Sequence, residues 1–357
     1  MNGNSYKKLG WLALGLLLLL FTAACGNDKG GGNGNADGDL SDTDSITFVS
    51  WGGTTQEAQE EYWAEPFTEE TGITVNSDNT DYGKLKAMVE SGNVIWDVVD
   101  VEADFAYQAA EDGLLEELDF SVIDKDELDE DFVTDHFVGS FAYSFVNAYN
   151  TDEIDGEPEG WESFFDTDQF PGKRTAYQWP TAGVFEMALM ADGVEPDDLY
   201  PIDFDRAFEK LDEIKSDIQW WDTGAQSQQL LGSGEVGMGH VWNGRMYSLI
   251  KEDDANIDID WTNNIKAGDV LVVPKGAKNK EAAMEFIAQA TSAEGQADFA
   301  NKTAYTPINT EADELVDDDL LPYLSSEHTD SQVVLDMEYW STAIDDVLDE
   351  WNEWLLD

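Results

Sequence analysis

The sequence predicts an α/β protein of two domains, with parallel sheet flanked by helices, and three observations predict it. Strand and helix patterns alternate from Ile46 to Leu115, which implies parallel strands with helices on both faces. Two apolar runs, Ser140–Asn150 and Asp269–Pro274, read as strands that leave and re-enter the first domain. A chain of 357 residues is also long enough to bury two cores.

Ile46-Thr47-Phe48-Val49 is the first strand, and Ser50-Trp51-Gly52-Gly53-Thr54-Thr55 the turn after it. In open α/β sheets, ligands bind beyond the carboxyl ends of strands. Gly52 and Gly53 allow a close backbone approach, and Trp51 offers a flat apolar face. Gln56–Thr71 carries Ala58, Tyr62, Trp63 and Phe67 at helical spacing and stops at Gly72. Ile73–Val75 reads as a strand, Tyr82–Ser91 as a helix, Val94–Val101 as a buried parallel strand, and Ala103–Glu111 as a helix. Asp119–Asp135 is an acidic, irregular stretch; it lacks the Gly and terminal Glu of a calcium loop and reads as a solvated loop. Phe204, Ala207, Phe208, Leu211 and Ile214 form an amphipathic stripe, and Lys280–Ala290 is helical. The last helix repeats Met337, Trp340, Ile344, Val347, Trp351 and Trp354, a stripe suited to core packing.

Ahead of these elements, Lys7-Lys8 and the apolar run Leu9–Ala24 read as a signal peptide, the run being shorter than the about 20 residues of a membrane span. It ends at Thr22-Ala23-Ala24-Cys25, which resembles a bacterial lipoprotein signal with Cys25 as the lipidated residue; Thr22 departs from the commoner Leu. Residues 26–45 read as a flexible tether. Cys25 is the only cysteine, which excludes disulfides and cysteine-based sites in the mature domain.

Charge sets the sharpest bound. There are 77 Asp+Glu against 18 Lys+Arg, a net −59 spread through nearly every segment. Such a surface repels nucleic acid and itself. At 1 M salt, screening contracts to about 3 Å and the self-repulsion fades, so a halophilic host is expected. His136, His240 and His328 lie at no metal-ligand spacing, and no phosphate-loop, dinucleotide, zinc-protease or hydrolase-elbow motif occurs. No cofactor, metal or catalytic residue is expected. Trp51, Trp221, Trp242 and Tyr305 sit beside Gly, Pro or polar residues, as the aromatic walls of a site for an organic cation do.

Several stretches together carry a family resemblance: Trp51-Gly52-Gly53, Pro66-Phe67 through Ile73, Gly92–Glu102, Phe170–Arg174, Trp220-Trp221 with Gly224-Ala225-Gln226, Trp242-Asn243-Gly244-Arg245, and Val273–Ala277. From Ser45 onward the chain resembles the solute-binding proteins of ABC importers, in the group that includes spermidine/putrescine binders. The resemblance implies a two-lobed periplasmic-binding-protein-like fold (type II). Each lobe would be a mixed, mainly parallel sheet flanked by helices, with crossing hinge strands. Lobe one would be 46–141 plus 268–306, and lobe two 142–267 plus 307–357. It implies a monomer, exported and anchored by lipid to the outer face of the cell membrane or periplasmic. Its partners would be a small amine and an ABC permease, not nucleic acid. Trp51 and Trp242 match aromatic walls of the ligand cleft, Asp269 a carboxylate that pairs with a ligand amine, and Tyr305 a cleft tyrosine. Glu102 falls in a cleft loop and Tyr143 at the crossover. Where polyamine binders carry acidic residues, this chain has Pro180 and Gly183, and Ala267 replaces a Trp. A shorter amine such as putrescine, or a γ-amino acid whose carboxylate meets Arg245, suits these departures. A quaternary-amine osmolyte and an exported enzyme are the alternatives.

Overall fold

The computed structural model describes Leu40 and residues 43–356. The signal segment, Cys25 and nearly all of the tether lie outside the described residues. Among the described residues, nine strands form one sheet: β1 (Ser45–Ser50), β2 (Thr74–Asn79), β3 (Val98–Glu102), β4 (Phe137–Asn150), β5 (Arg174–Tyr177), β6 (Ile218–Trp221), β7 (Met238–Trp242), β8 (Ile257–Val272) and β9 (Val333–Val334). Their order is β2-β1-β3-β8-β4-β7-β5-β6, with β9 on β8. The outer pairs are parallel, as the strand–helix alternation predicts. The centre is antiparallel: β8 runs beside β3 at one end and along β4 for most of its length.

Two apolar cores lie along this sheet. The first gathers Phe48, Trp63, Trp96, Val99, Phe137 and Phe286. The second gathers Phe145, Trp161, Phe185, Trp221, Trp340 and Trp351, so the last helix (Met337–Leu356) packs as its stripe predicts. β4 contributes Phe141 to the first core and Phe145 to the second, and β8 does likewise with Val270 and Ile265. Both long strands therefore pass from one core to the other.

Local chemistry explains where the elements depart from the sequence reading. The first long helix runs from Gly53 to Thr71 and carries a π-helical turn at Glu60–Ala64; Gly72, in a left-handed conformation, caps it. β3 starts at Val98, not Val94. Asp97 takes the role of a ladder partner, accepting Thr47 N–H at 2.8 Å and the Asn279 side-chain amide at 3.1 Å. The acidic stretch is not simply solvated: Asp129 and Asp131 hold Lys266 of β8 at 2.6 and 2.8 Å. The Phe170–Arg174 motif is structural, because the buried Arg174 guanidinium donates to the carbonyls of Phe164, Phe170 and Gly172.

Candidate functional site

Two sets of parallel strands, β1 with β3 and β5 with β6 and β7, run toward each other and end at one cavity of about 410 Å³, within the usual range for small-ligand sites. β1 delivers Trp51 and Gly52, β3 delivers Glu102, β5 delivers Tyr177, β6 is followed by Asp222 and Thr223, and β7 delivers Trp242. The antiparallel centre adds Phe141 and Tyr143 from β4 and Asp269 from β8. Asp269 lies opposite Glu102 in the β3–β8 register, so the ladder itself sets two carboxylates side by side.

The half of the cavity built on the first core is acidic. Burial, together with the neighbouring Asp104 carboxylate, pushes Glu102 up to about 8, although Tyr82 O–H donates to it at 3.2 Å. Asp269 is buried; desolvation and then Asp100 and Glu102 push it well above the usual carboxylate range. Behind them Asp100 is raised to about 7 by burial, despite hydrogen bonds from Gln59 (2.7 Å) and Ser50 (3.0 Å). Asp104 is raised by burial as well. Four carboxylates thus share a region with no cation among their hydrogen-bond partners. A bound ammonium relieves both the desolvation and the mutual repulsion. Among the described residues, no three of His, Cys, Asp or Glu are grouped to hold a metal ion.

The half built on the second core is aromatic and carries one guanidinium. Tyr177 meets Trp242 edge-on at 5.3 Å, and Trp242 meets Tyr143 at 6.1 Å. Trp242 caps the helix Asn243–Lys251, which places Arg245 one turn in, beside Tyr305. Two glycines make that arrangement possible. A Cβ on Gly224 would fall 2.5 Å from Arg245 Nε, and one on Gly244 would fall 2.8 Å from the Tyr305 ring. Asn243 locks the turn, accepting Ser144 N–H (2.9 Å) and donating to the carbonyls of Ala304 and Tyr323 (3.2 and 2.9 Å). The indole N–H of Trp242 and Nε of Arg245 are shielded from solvent and have no hydrogen-bond partner. Both are donors awaiting an acceptor.

Of the residues singled out from sequence, Trp51, Gly52, Glu102, Tyr143, Trp242, Arg245, Asp269 and Tyr305 line the cavity together. Gly53 and Trp221 do not. Gly53 (φ 63°) begins a helix, and what it supplies is a left-handed backbone rather than space for a ligand. Trp221 lies behind the wall, fully buried, stacked on Tyr177 at 4.3 Å and donating to the His240 carbonyl at 3.1 Å. Tyr177, Asp222, Thr223, Thr55 and Phe141 were not foreseen. The strand-end rule applied to β5 and β6 would have found the first three.

Residues 62–322 match the bacterial extracellular solute-binding protein family. The chain is 33% identical to a γ-aminobutyric acid-binding protein of Pseudomonas aeruginosa, over 87% of this chain and 90% of that one. It is 26% identical to a spermidine/putrescine-binding periplasmic protein of Salmonella typhimurium, over 69% and 72% of the two chains. A solved structure described as the Atu4243 GABA receptor is 56% identical and superposes with a TM-score of 0.85, covering 87% of this chain and 97% of the other. The chain belongs to the bacterial extracellular solute-binding proteins.

Proposed function

We propose that this solute-binding protein captures a short ω-amino acid of the γ-aminobutyrate type and delivers it to the permease of an ABC importer. One observation carries the reading: a single cavity brings together two carboxylates, the half-buried Glu102 and the buried Asp269, with a guanidinium, Arg245, that lacks a partner at Nε among the described residues. The ligand ammonium donates N–H bonds to the carboxylates. Its methylenes lie against Trp51, Tyr143, Tyr177 and Trp242. Its carboxylate takes the fork of Arg245 in a bidentate pair. Because one ligand then spans both lobes, 46–141 plus 268–306 and 142–267 plus 307–357, it stabilises the closed form that a permease recognises. The named ligand of the 33% identical Pseudomonas relative supports this reading, as does that of the 56% identical structure.

A diamine fits the same cavity less well. With one ammonium on Asp269, the second would face Arg245 and be repelled. A quaternary amine lacks the N–H donors that Asp269 and Glu102 need. Lipid attachment at Cys25 and adaptation to high salt rest on the sequence alone, and both belong to this proposal.

Titration calorimetry with γ-aminobutyrate, putrescine, spermidine and glycine betaine, at low and at molar NaCl, tests the reading. γ-Aminobutyrate should bind tightest, and at about 100 times its dissociation constant it should stabilise the fold by roughly 2.7 kcal/mol. Tighter binding of putrescine or betaine would overturn it. The melting temperature should rise with salt; a flat response would remove the halophile proposal.

A further inference from the structure

The two ends of the cavity lead to different places. Past Glu102 lies a side pocket of only about 10 Å³, lined by Asp104, Trp179 and Thr181. That volume is at the lower limit for one water. Thr181 O–H donates to Asp104 across it at 3.1 Å, tying the two cores together. Past Arg245 lies a groove of about 350 Å³. Thr54, Thr55, Gln228, Ser248 and Lys302 are among the residues that line it. The groove shares Thr55, Arg245 and Tyr305 with the main cavity, whereas the side pocket shares Glu102, Tyr143 and Tyr177. Groove and side pocket have no residue in common, so they extend the cavity in separate directions.

Charge follows the same axis. The small end is carboxylate-lined. The larger end is bordered by two of the chain's 18 Lys and Arg residues, Arg245 and Lys302, and neither forms an ion pair among the described residues. Thr54 and Thr55 line it as well. Glu252 and Asp253 also border the groove, so it is close to neutral in a strongly acidic protein.

We propose that the site also accepts ω-amino acids extended at the acid end through an amide, a class that the free amino acid does not exhaust. The terminal ammonium stays at Glu102 and Asp269. The amide carbonyl accepts from Arg245. The added residue lies in the groove, its carboxylate near Lys302 and the Thr54 and Thr55 hydroxyls. Extension at the amine end meets a side pocket too small for it and is rejected. This inference rests on the main cavity being an ω-amino-acid site.

Calorimetry with three probes separates the two ideas: γ-aminobutyrate, γ-aminobutyryl-glycine and N-(3-aminopropyl)-γ-aminobutyrate. The acid-extended probe should bind within about tenfold of the parent, and the amine-extended probe at least about a hundredfold more weakly. If the parent binds and the acid-extended probe does not, or if both extensions bind alike, the inference fails and the main-cavity reading survives. If the parent itself does not bind, both fail. Ser248→Trp fills the groove and Lys302→Glu reverses its charge. In either variant the affinity ratio of parent to acid-extended probe should rise by about tenfold or more. A ratio unchanged in both would show that the groove does not hold the extension.

Discussion

The two halves of the cavity face it with opposite electrostatics. The half built on the first core is a group of carboxylates that bury one another's charge: Asp100, Glu102, Asp104 and Asp269. The half built on the second core is a set of rings around one guanidinium, with Tyr177, Trp242 and Arg245 held by glycine-tight packing. The first half is costly to ionise without ligand, since burial desolvates all four carboxyls and neighbouring carboxylates also oppose the charge of Glu102 and Asp269. The second is satisfied by its own packing except for two donors, at Trp242 and Arg245. The difference teaches which half sets selectivity. Any ammonium relieves the first half, and only a solute with an acceptor at the right distance satisfies the second.

Breaking the second half should therefore cost the most selectivity. In Arg245→Gln, γ-aminobutyrate affinity should fall by about a hundredfold or more, the scale of a truncated desolvated charge pair. Putrescine should lose nothing and can gain, because the repulsive cation is gone. Calorimetry with both ligands reads this directly; equal losses for the two would mean that Arg245 only holds the fold. Breaking the first half should have a smaller and mixed outcome. Asp269→Asn should weaken both ligands by about tenfold or more through the lost charge-assisted bond. It should also raise the melting temperature of the unliganded protein, because a buried carboxyl whose ionisation is opposed by desolvation and by Asp100 and Glu102 is removed. If Asp269→Asn lowers the melting temperature, that carboxyl is not costly in the free protein.

Titration sharpens the contrast. Glu102 is raised to about 8 in the unliganded protein and Asp100 to about 7, chiefly by burial. A carboxyl raised above its unfolded value binds protons in the folded state that the unfolded chain has released. Its stabilising contribution is complete below about pH 4.3 and is lost as pH rises toward 8. Stability of the unliganded protein should therefore fall across that window, and saturating ligand should flatten the fall. A ligand amine with a pKa near that of lysine, about 10.4, stays charged throughout. Binding below pH 8 must then expel a proton, and affinity should climb by up to about tenfold per pH unit between 6 and 8. Calorimetry in buffers of different ionisation enthalpy measures the released proton. No proton release at pH 6.5 would mean that Glu102 is already ionised there.

Much of this was legible because the strand-end rule acts locally. Trp51 follows a recognisable strand and Trp242 sits beside Gly and polar residues, so the sequence points to both; Glu102 was found through the family resemblance, and Glu102 and Trp242 are the last residues of β3 and β7. Asp269 was found through its family resemblance, and the structure supplies the physical reason: its antiparallel register with Glu102. Tyr177 was hidden because β5 has only four residues, too few to show a period. Phe141 was hidden by the length of β4, where burial is nearly continuous and no alternation marks the cavity-facing side. The central antiparallel pairing of β4 and β8 brings segments more than 100 residues apart into register, and no local pattern encodes such partners.

Trp221 is where that limit is most exposed, and it gives the smallest of these effects. Trp221 and Tyr177 occupy matching positions on adjacent parallel strands and stack at 4.3 Å, so either ring is a plausible wall from composition alone. Burial separates them: Trp221 is fully enclosed, while Tyr177 borders the cavity. Trp221→Phe removes the indole bond to the His240 carbonyl and opens a void behind Tyr177. The expected cost is about 1–3 kcal/mol of folding stability, with only a few-fold loss of γ-aminobutyrate affinity. Denaturant unfolding and calorimetry on the one variant compare the two. A loss of affinity matching that of Arg245→Gln, with stability unchanged, would put Trp221 in contact with the solute and make the second core's wall two rings deep.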